Sequence, residues 1–374
     1  MHRPVNPDKS LTGSTVCTIL SLIQNDLDKA MTVTLKQIAE QVGKSVTTVS
    51  RALAGYDDVS KSTRQQVVQV AQALGYEPNA TAQQLRRQRT DTVAIILPTF
   101  APRFSDPFFS EFLAGAGNEA ARHGFDLLVS SRAPGDEEET TYLKHIRGRR
   151  VDGFIIVRTR RQDPRIEILQ SYNYPFVAFG RTEGPLNFPF IDEDSELGVR
   201  LMVDHLVQLG HRRIAWLGAP LNLMFGQYRQ RGFINALATH GLKPDPALLR
   251  EGDLTQRMGR QLAGELLDLR QRPTAIMSAN DLMALGAMSA AQERGLIVGK
   301  QVTIAGFDDV PLAEHSHPPL TTVHQPVHRI GEMACDMLIK LIEGAPLPER
   351  QVLLKPELVV RASSGPVGDT AGQV

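Results

Sequence analysis

TLKQIAEQVGKSVTTVSRAL, residues 34–53, reads as two short helices joined by a tight turn, and the rest of the chain can be placed around it. Thr34 precedes the first helix and is a residue type that caps helix N-termini. Gly43 can adopt the positive φ of a helix C-cap, and Ser45 can cap the next helix. Apolar residues recur at helical spacing in both halves, at Leu35, Ile38, Ala39, Val42, Val49, Ala52 and Leu53. The pattern therefore predicts two helices that pack closely and cross steeply.

The second helix of this pair has a polar outer face that suits DNA. An Arg side chain can grip guanine O6 and N7 with two hydrogen bonds, and a Val or Thr methyl group can pack on the thymine methyl. A helical hairpin with a solvated polar face would show the same pattern, so that interpretation stays open. The candidate DNA contacts in this stretch are Thr34, Ser45, Val46, Thr47, Thr48, Ser50 and Arg51.

A third amphipathic segment, Thr63–Leu74, follows with Ser60 as its N-cap. Its apolar residues Val67, Val70, Ala71 and Leu74 can close a three-helix core. The next segment, Asn79–Arg89, is capable of forming a helix but has little to bury and carries no acidic residue.

The formal net charge of zero hides an asymmetry along the chain. Residues 32–90 carry eight Lys/Arg and four Asp/Glu, a balance of +4, while residues 91–374 balance at −4. This modest positive charge predicts that DNA affinity depends on two paired copies and falls as salt rises.

Here the chain resembles the LacI family of bacterial transcription regulators. Three segments follow that family's DNA-binding part in order: TLKQIAEQVGKSVTTVSRALAG, VSKSTRQQVVQVAQALGYEPN and AQQL. The resemblance extends from residue 32 to about residue 362. It implies that the second helix lies in the major groove and that residues 79–91 include a hinge helix that orders on operator DNA.

The resemblance also assigns roles within the hinge. Asn79, Gln83 and Leu85 are implied as DNA contacts, and Leu85 is implied to wedge into the minor groove at the centre of the site. An apolar wedge costs a few kcal/mol of base unstacking, which further contacts with the bent DNA recover. In the alternative interpretation, Leu85 packs on the third helix.

The first 31 residues are expected to be a disordered extension, and Met31 is our hypothesis for the natural start. Val16–Ile23 is the best candidate for the core of a secretion signal, but Arg3, Asp8 and Lys9 precede it and no small-residue cleavage site follows. No apolar run reaches the 18 residues that a membrane helix requires, so no membrane partner is expected.

Cysteine usage and motifs argue against several other classes of protein. Cys17 and Cys335 are too few for a disulfide framework or a CxxC metal site, which fits a reducing cytoplasm. The sequence contains no G-x-S-x-G, Walker or H-E-x-x-H motif. We therefore expect a cytoplasmic protein that is not an enzyme and that holds no cofactor and no metal.

From Val93 onward, short apolar runs alternate with amphipathic helices. Such runs are expected when helices cover both faces of a parallel sheet, so the pattern predicts an α/β, doubly wound fold. The series occurs twice, which indicates two lobes. The resemblance implies a type I periplasmic-binding-protein-like fold whose chain crosses between lobes three times. The expected domains are a helix-turn-helix domain at 32–78, the hinge helix at 79–91, a two-lobed ligand-binding and dimerisation domain at 92–362, and a disordered tail at 363–374.

Ligand-binding residues are expected after the strands, because ligands gather at the carboxyl ends of parallel strands and a cleft collects those ends from two lobes. Each candidate also has an interpretation in which it binds no ligand. Phe109 can cover the core of its own lobe, and the Asp281 carboxylate can stabilise a helix N-terminus through the helix dipole. The resemblance implies that Asp281 and Arg229 bind the effector. Leu254 lies where several members carry an aromatic residue, so stacking from that side is in doubt. The candidates are Phe109, Arg158, Asp192, Arg229, Asn280 and Asp281.

Together these features predict a sequence-specific, operator-binding regulator, most simply a repressor of carbohydrate-utilisation genes. Its partners would be double-stranded DNA, a small sugar-like effector and a second copy of the chain, with a tetramer left open. Residues 104–111 and 179–183 look similar to a branch that responds to α-glucosides. The alternatives are a regulator of a non-sugar metabolite and a solute-binding protein for sugar transport, and the latter predicts no DNA-binding segment.

Overall fold

The computed structural model describes residues 33–76, 89–98 and 106–367. The chain divides into two compact units, Met1–Arg87 and Gln88–Val374. The predicted disordered extension, hinge residues 79–88 and residues 368–374 of the predicted tail lie outside the described residues.

The first unit contains three helices, α1 (Leu35–Val42), α2 (Val46–Leu53) and α3 (Lys61–Leu74). Thr34 forms a capping box with Gln37, and Gly43 ends α1 with a left-handed φ of 66°. The buried side chains of the three helices form one core, made of Ile38, Ala39, Val42, Val49, Ala52, Val59, Val67 and Ala71. The structure thus confirms the three-helix prediction, with α3 beginning two residues before the predicted start.

The second unit has two lobes, each built on a parallel sheet. The sheet of the first lobe has the order β11-β5-β4-β3-β1-β2, and all its strand pairs are parallel. Its elements are β1 (Thr92–Pro98), α4 (Pro107–Arg122), β2 (Asp126–Arg132), α5 (Asp136–Arg147), β3 (Gly153–Ile156), α6 (Pro164–Ser171), β4 (Phe176–Phe179), β5 (Phe190–Glu193), α12 (Val327–Glu343) and β11 (Gln351–Leu354).

The second lobe contains a parallel sheet of order β7-β6-β8-β9 and an antiparallel pair, β10-β12. Its elements are α7 (Ser195–Gln208), β6 (Ile214–Gly218), α8 (Met224–Thr239), β7 (Leu249–Glu251), α9 (Gln256–Leu267), β8 (Ala275–Ser278), α10 (Asp281–Glu293), β9 (Thr303–Ala305), α11 (Pro311–His315), β10 (Thr322–His324) and β12 (Glu357–Val359). A one-turn 3-10 helix, Pro246–Leu248, precedes β7.

The chain passes between the lobes after β5, after β10 and after β11. These three crossings match the expectation for a type I periplasmic-binding-protein-like fold. Strands β1, β3, β4, β6 and β8 have fully or almost fully buried residues, as expected when helices cover both sheet faces.

The predicted boundary of the two-lobed domain at residue 362 needs a correction. Ser363 is fully buried, and its hydroxyl donates to the Ile304 carbonyl at 2.6 Å and accepts from the Thr321 amide at 2.8 Å. The His211 ring bonds to the Gly365 carbonyl at 3.0 Å. Residues 363–367 are therefore an ordered part of the second lobe. Residues 89–91, at the end of the predicted hinge helix, precede β1 without helical structure.

Candidate DNA-reading helix and interlobe ligand pocket

Helix α2 presents one polar, accessible face. Val49 and Ala52 are buried in the core of the first unit, whereas Val46, Thr47 and Arg51 on the opposite face are exposed. Ser45 caps the helix by accepting a hydrogen bond from the Thr48 amide at 3.1 Å. The helix therefore offers its N-terminus and a short side-chain row to a partner, an arrangement that suits a DNA groove.

Arg51 is held in place by neighbours in its own unit. Its guanidinium forms an ion pair with Asp58 at 2.5 Å and lies 4.9 Å from the ring centre of Tyr56. Both charged side chains are about half exposed, so this pair adds little stability and can rearrange when a partner arrives. The candidate hinge contacts Asn79, Gln83 and Leu85 lie outside the described residues.

The two lobes of the second unit enclose a pocket at the carboxyl ends of their strands. The space between the atoms of the pocket wall is about 610 Å³, a volume that includes open solvent at its mouth. From the first lobe it is lined by Asp106, Phe108, Phe109, Arg158, Phe179 and Asp192. From the second lobe and its crossing segments it is lined by Ser195, Phe225, Arg229, Leu254, Asn280, Asp308 and Gln325.

On the first-lobe wall, Arg158 connects an acid to an aromatic ring. Its guanidinium donates to the Asp106 carboxylate at 3.1 Å and lies 4.7 Å from the ring centre of Phe109. Arg158 has a left-handed φ of 52°, which turns the chain directly after β3. Burial raises the pKa of Asp106, and Arg158 partly offsets this rise.

On the second-lobe wall, Arg229 lies between two aromatic rings. Its guanidinium carbon is 3.6 Å from the ring centre of Phe307 and 5.0 Å from that of Phe225. The guanidinium donates to Asp308 at 3.3 Å and to the Ala279 carbonyl. Arg229 is therefore rigidly placed, with a charged partner that also lines the pocket.

Asp281, which the resemblance implies as an effector contact, is not among the residues that line the pocket. The residue is fully buried, and its two carboxylate oxygens accept hydrogen bonds from the Thr322 hydroxyl at 2.6 Å and the Val310 amide at 2.9 Å. Both acceptors are therefore engaged inside the second lobe. Asp308 is the carboxylate that reaches the pocket on this side.

Of the other candidates, Asn280 and Asp192 line the pocket. Asn280 caps α10 by accepting from the Met283 amide at 3.0 Å and donates to the Leu254 carbonyl at 3.0 Å. Asp192 accepts from Arg181 at 2.6 Å. Arg181 also lies 4.1 Å from the ring centre of Tyr228 in the second lobe.

The residues that sequence reasoning missed are mostly apolar or follow a short strand. Phe179 and Phe225 line the pocket together with Phe109 and its neighbour Phe108. Asp308 follows β9 and also lines the pocket. The strand-end rule points to Asp308 as well as to Asp281, and only the direction of the side chains separates them.

Several carboxyl groups near the pocket have raised pKa values. Burial raises the pKa of Asp308 to about 7, although Arg229 acts in the opposite direction. Burial also raises the pKa of Asp192, and it raises that of Glu193 well above the ordinary value. Neither carboxyl oxygen of Glu193 accepts a hydrogen bond from the described residues. Burial thus opposes the ionisation of these acids, and Arg229 acts against burial at Asp308.

An Asp308→Asn substitution should change how stability depends on pH. Between the ordinary Asp pKa and about pH 7, native Asp308 keeps a proton that the unfolded chain has released, so its contribution to stability falls as pH rises through this window. The thermal midpoint of the Asn variant minus that of the wild type should therefore increase from pH 5 to pH 8. Asp126→Asn, at an exposed position, is the control. A difference that is constant over this range would contradict the raised pKa.

Comparisons with known proteins match both units. Residues 34–79 match the family model described as bacterial regulatory proteins, lacI family, and residues 203–364 match the periplasmic binding protein-like domain. The HTH-type transcriptional regulator AglR of Rhizobium meliloti (strain 1021) is 38% identical over 344 residues, which cover 91% of this chain and 96% of AglR.

Solved structures are similar over most of the chain. The Lac repressor dimer bound to operator and the anti-inducer ONPF has a TM-score of 0.78 and 31% identity, covering 89% of this chain and 99% of the repressor chain. The transcriptional regulator CelR–cellobiose complex has a TM-score of 0.69 and 31% identity, covering 88% of this chain and 99% of the CelR chain.

Proposed function

Because the chain belongs to the LacI family of bacterial regulatory proteins, we propose that it represses carbohydrate-utilisation genes and that a neutral saccharide in the interlobe pocket sets its operator affinity. As a member of this family it is a sequence-specific, DNA-binding transcription regulator. The saccharide proposal depends on one observation about the pocket wall. Each of its described charged side chains forms an ion pair with a side chain of opposite charge, and several phenylalanine rings lie among them.

The charges of the described wall residues neutralise one another. Arg158 pairs with Asp106, Arg229 pairs with Asp308, and Asp192 pairs with Arg181 from outside the wall. A phosphate or carboxylate ligand would have to displace the carboxyl partner of Arg158 or Arg229. Paired Arg and Asp groups instead offer donors and acceptors together, which suits the hydroxyl groups of a sugar.

The aromatic residues favour the same ligand class. Phe109 and Phe225 line the pocket from opposite lobes. A sugar ring has C–H faces that can pack on such rings while its hydroxyl groups bond at the edges. Leu254 lines the pocket without an aromatic ring, so we expect the stacking to come from the phenylalanines.

The structures of relatives support an effector of this kind. CelR was solved in complex with cellobiose, and the Lac repressor was solved with operator and an anti-inducer. We propose that the effector contacts here are Phe109, Arg158, Asp192, Arg229, Asn280 and Asp308. Asp281 would act indirectly, by holding the segment around Val310.

For the DNA side, we propose that α2 enters the major groove and that residues 79–88 form a hinge helix with Leu85 as the minor-groove wedge. The contacts on the described unit would be Thr34, Ser45, Val46, Thr47, Thr48, Ser50 and Arg51. Two copies would bind a two-fold symmetric operator as a homodimer in the cytoplasm. This regulator would act by binding alone, without catalysing a reaction. None of the described helices is long and apolar enough to cross a membrane.

The proposal is tested by selecting binding sites from a library of random duplexes with the full-length protein. We expect enrichment of a palindromic site, with an affinity that falls steeply as salt rises. Adding maltose or cellobiose should change that affinity about 5- to 150-fold, the range given by a coupling of about 1–3 kcal/mol. Failure to enrich any duplex would refute the DNA-binding function, whereas enrichment without a sugar response would refute the saccharide.

Replacing Arg51 with Ala should relax operator specificity at one base pair in each half-site. The expected loss is about 1–3 kcal/mol on the selected operator, because a bidentate Arg–guanine contact carries discrimination of that size. Fluorescence anisotropy on the operator and on single-base variants measures it. Lys61→Ala, which removes one exposed charge from the same unit, is the control. Equal weakening on all duplexes would show that Arg51 contacts only phosphate.

A further inference from the structure

The two lobes of the second unit are joined by a noncovalent backbone contact as well as by the three chain crossings. Arg160 in the first lobe pairs with Leu223 in the second as an isolated antiparallel β-bridge. The Met224 amide donates to the Thr159 carbonyl at 2.9 Å, and the Arg161 amide donates to the Asn222 carbonyl at 3.1 Å. We call residues 159–161 and 222–224 the interlobe latch.

A buried arginine holds the backbone that precedes the first-lobe part of the latch. Arg165 is fully buried and donates to the carbonyl oxygens of Val157 and Arg158, each at 3.1 Å. It also pairs with Asp163 at 2.7 Å and with Glu138 at 3.3 Å. The loop that leads into the latch therefore has fixed backbone positions rather than the freedom of an ordinary surface loop.

Asp163 and Glu138 of this buried cluster also bond directly to Arg160 in the latch. Asp163 accepts a hydrogen bond from the Arg160 amide at 3.0 Å, and Glu138 accepts from the Arg160 guanidinium at 2.5 Å. Arg160 can therefore meet Leu223 without losing further conformational freedom, because its backbone and side chain are already held. Preorganisation of this kind lowers the entropic cost of closing a contact.

The latch is continuous with the pocket on both sides. Arg158 and Thr159 line the pocket, and so does Phe225, one residue beyond the latch in the second lobe. Gly180, another lining residue, lies so close to Thr159 that an added Cβ would be 2.4 Å from the Thr159 hydroxyl oxygen. Opening the latch would therefore move parts of the pocket wall in both lobes.

We propose that the interlobe latch is the gate of the pocket, which opens to admit or release the ligand and closes over it. The proposal rests on the proposed function only in taking that ligand to be the effector. The latch comprises two neutral backbone hydrogen bonds, and each shifts an equilibrium by only about fivefold. The contact is therefore strong enough to favour closure and weak enough to open repeatedly.

A single substitution can break the latch without breaking the helix behind it. Met224 is the first residue of α8, a position where proline is well tolerated because its amide has no partner within the helix. The preceding residue, Leu223, already has an extended backbone, with φ −88° and ψ 134°. This conformation is compatible with a proline at the next position. Met224→Pro thus removes the N–H that donates to Thr159. Met224→Ala removes the same side chain and keeps that N–H.

The first measurement is amide hydrogen exchange in the full-length protein without ligand. The Arg161 amide should exchange about fivefold faster in Met224→Pro than in Met224→Ala, since the remaining half of the bridge would open more often. Thermal denaturation of the two variants verifies that both are folded. Equal exchange rates would overturn the latch whatever the ligand is.

The second measurement is the release of radiolabelled maltose and cellobiose after dilution. Release should be about fivefold faster from Met224→Pro than from Met224→Ala. Faster Arg161 exchange with unchanged release would show that the bridge exists but is no gate, and would overturn the proposal. If neither sugar binds the wild type, the saccharide assignment fails, while the exchange comparison still decides the latch.

A covalent lock gives the converse test. The bridge lacks hydrogen bonds between Arg160 and Leu223 themselves, so their Cα atoms should be about 4.5 Å apart, within reach of a disulfide. Arg160→Cys/Leu223→Cys, made with Cys17 replaced by Ser, should take up sugar only when reduced. Arg161→Cys/Leu223→Cys, one residue out of register, is the control. Equal cross-linking of the two pairs, or normal sugar exchange in the locked protein, would contradict the gate.

Discussion

An Arg165→Met variant is expected to lose about 3–5 kcal/mol of folding stability in the second unit. The side chain is fully buried, and its removal would leave the carboxylates of Asp163 and Glu138 without their buried cation. The carbonyl oxygens of Val157 and Arg158, which precede the interlobe latch, would also lose their donor. Methionine fills a similar volume, so the loss would reflect unpaired charge rather than a cavity. Urea unfolding followed by circular dichroism measures it.

Arg161→Met is the matched control because it makes the same change in the same loop. Arg161 is half exposed and pairs with the equally exposed Glu183, so solvent screens the interaction and no measurable loss is expected. Equal stabilities for the two variants would show that Asp163 and Glu138 lose their buried partner at little cost. Arg165 would then be no more than a local contact.

The importance of Arg165 could not be predicted from the sequence. In DPRIEI the arginine lies at a helix start, where most charged side chains face solvent. Glu138, one of its two acidic partners, is 27 residues earlier in the chain. A buried ion cluster depends on which helices lie side by side, and periodicity carries no information about that.

Local signals in the sequence were sufficient for the first unit. Thr34, Gly43, Ser45 and Ser60 have the capping roles that their residue types predict, because caps depend only on neighbours within a few residues. Strand β5, with the sequence FIDE, was not predicted as a strand. Two acidic residues make it look like a loop, yet all four residues are buried against neighbouring strands. Short strands of this kind are set by pairing across the sheet rather than by their own composition.

In the pocket, too, some residues could be predicted from the local sequence pattern and others could not. The rule that ligands gather at strand ends indicated Arg158, Asn280 and the loop that leads to Arg229, because strand direction fixes which sheet edge they reach. It could not choose between Asp281 and Asp308. Asp308 has a positive φ of 116°, and this turn after β9 places its carboxylate beside Arg229 while Asp281 bonds inward. A backbone turn of this kind is not visible in the residue pattern.

Replacing Arg229 with Met should abolish the saccharide response while operator binding persists. The guanidinium reaches the pocket with fixed geometry, held by Asp308 and by the ring of Phe307. A hydrogen bond from a charged donor to a buried ligand is worth about 2–3 kcal/mol, so saccharide affinity should fall about 30- to 150-fold. Titrating maltose or cellobiose against the protein–operator complex, with anisotropy as the signal, measures the response.

Arg231→Met makes the same change two residues later on α8, where the arginine is about half exposed and pairs with Glu196 outside the pocket. It should respond to saccharide as the wild type does. Loss of Arg229 also removes the group that lowers the pKa of Asp308, so Asp308 should stay protonated near pH 7 and the variant should remain folded. Because the coupling between two sites is reciprocal, Arg229→Met should also lose any effect of operator on sugar binding. A normal response in this variant would move the effector to another part of the chain.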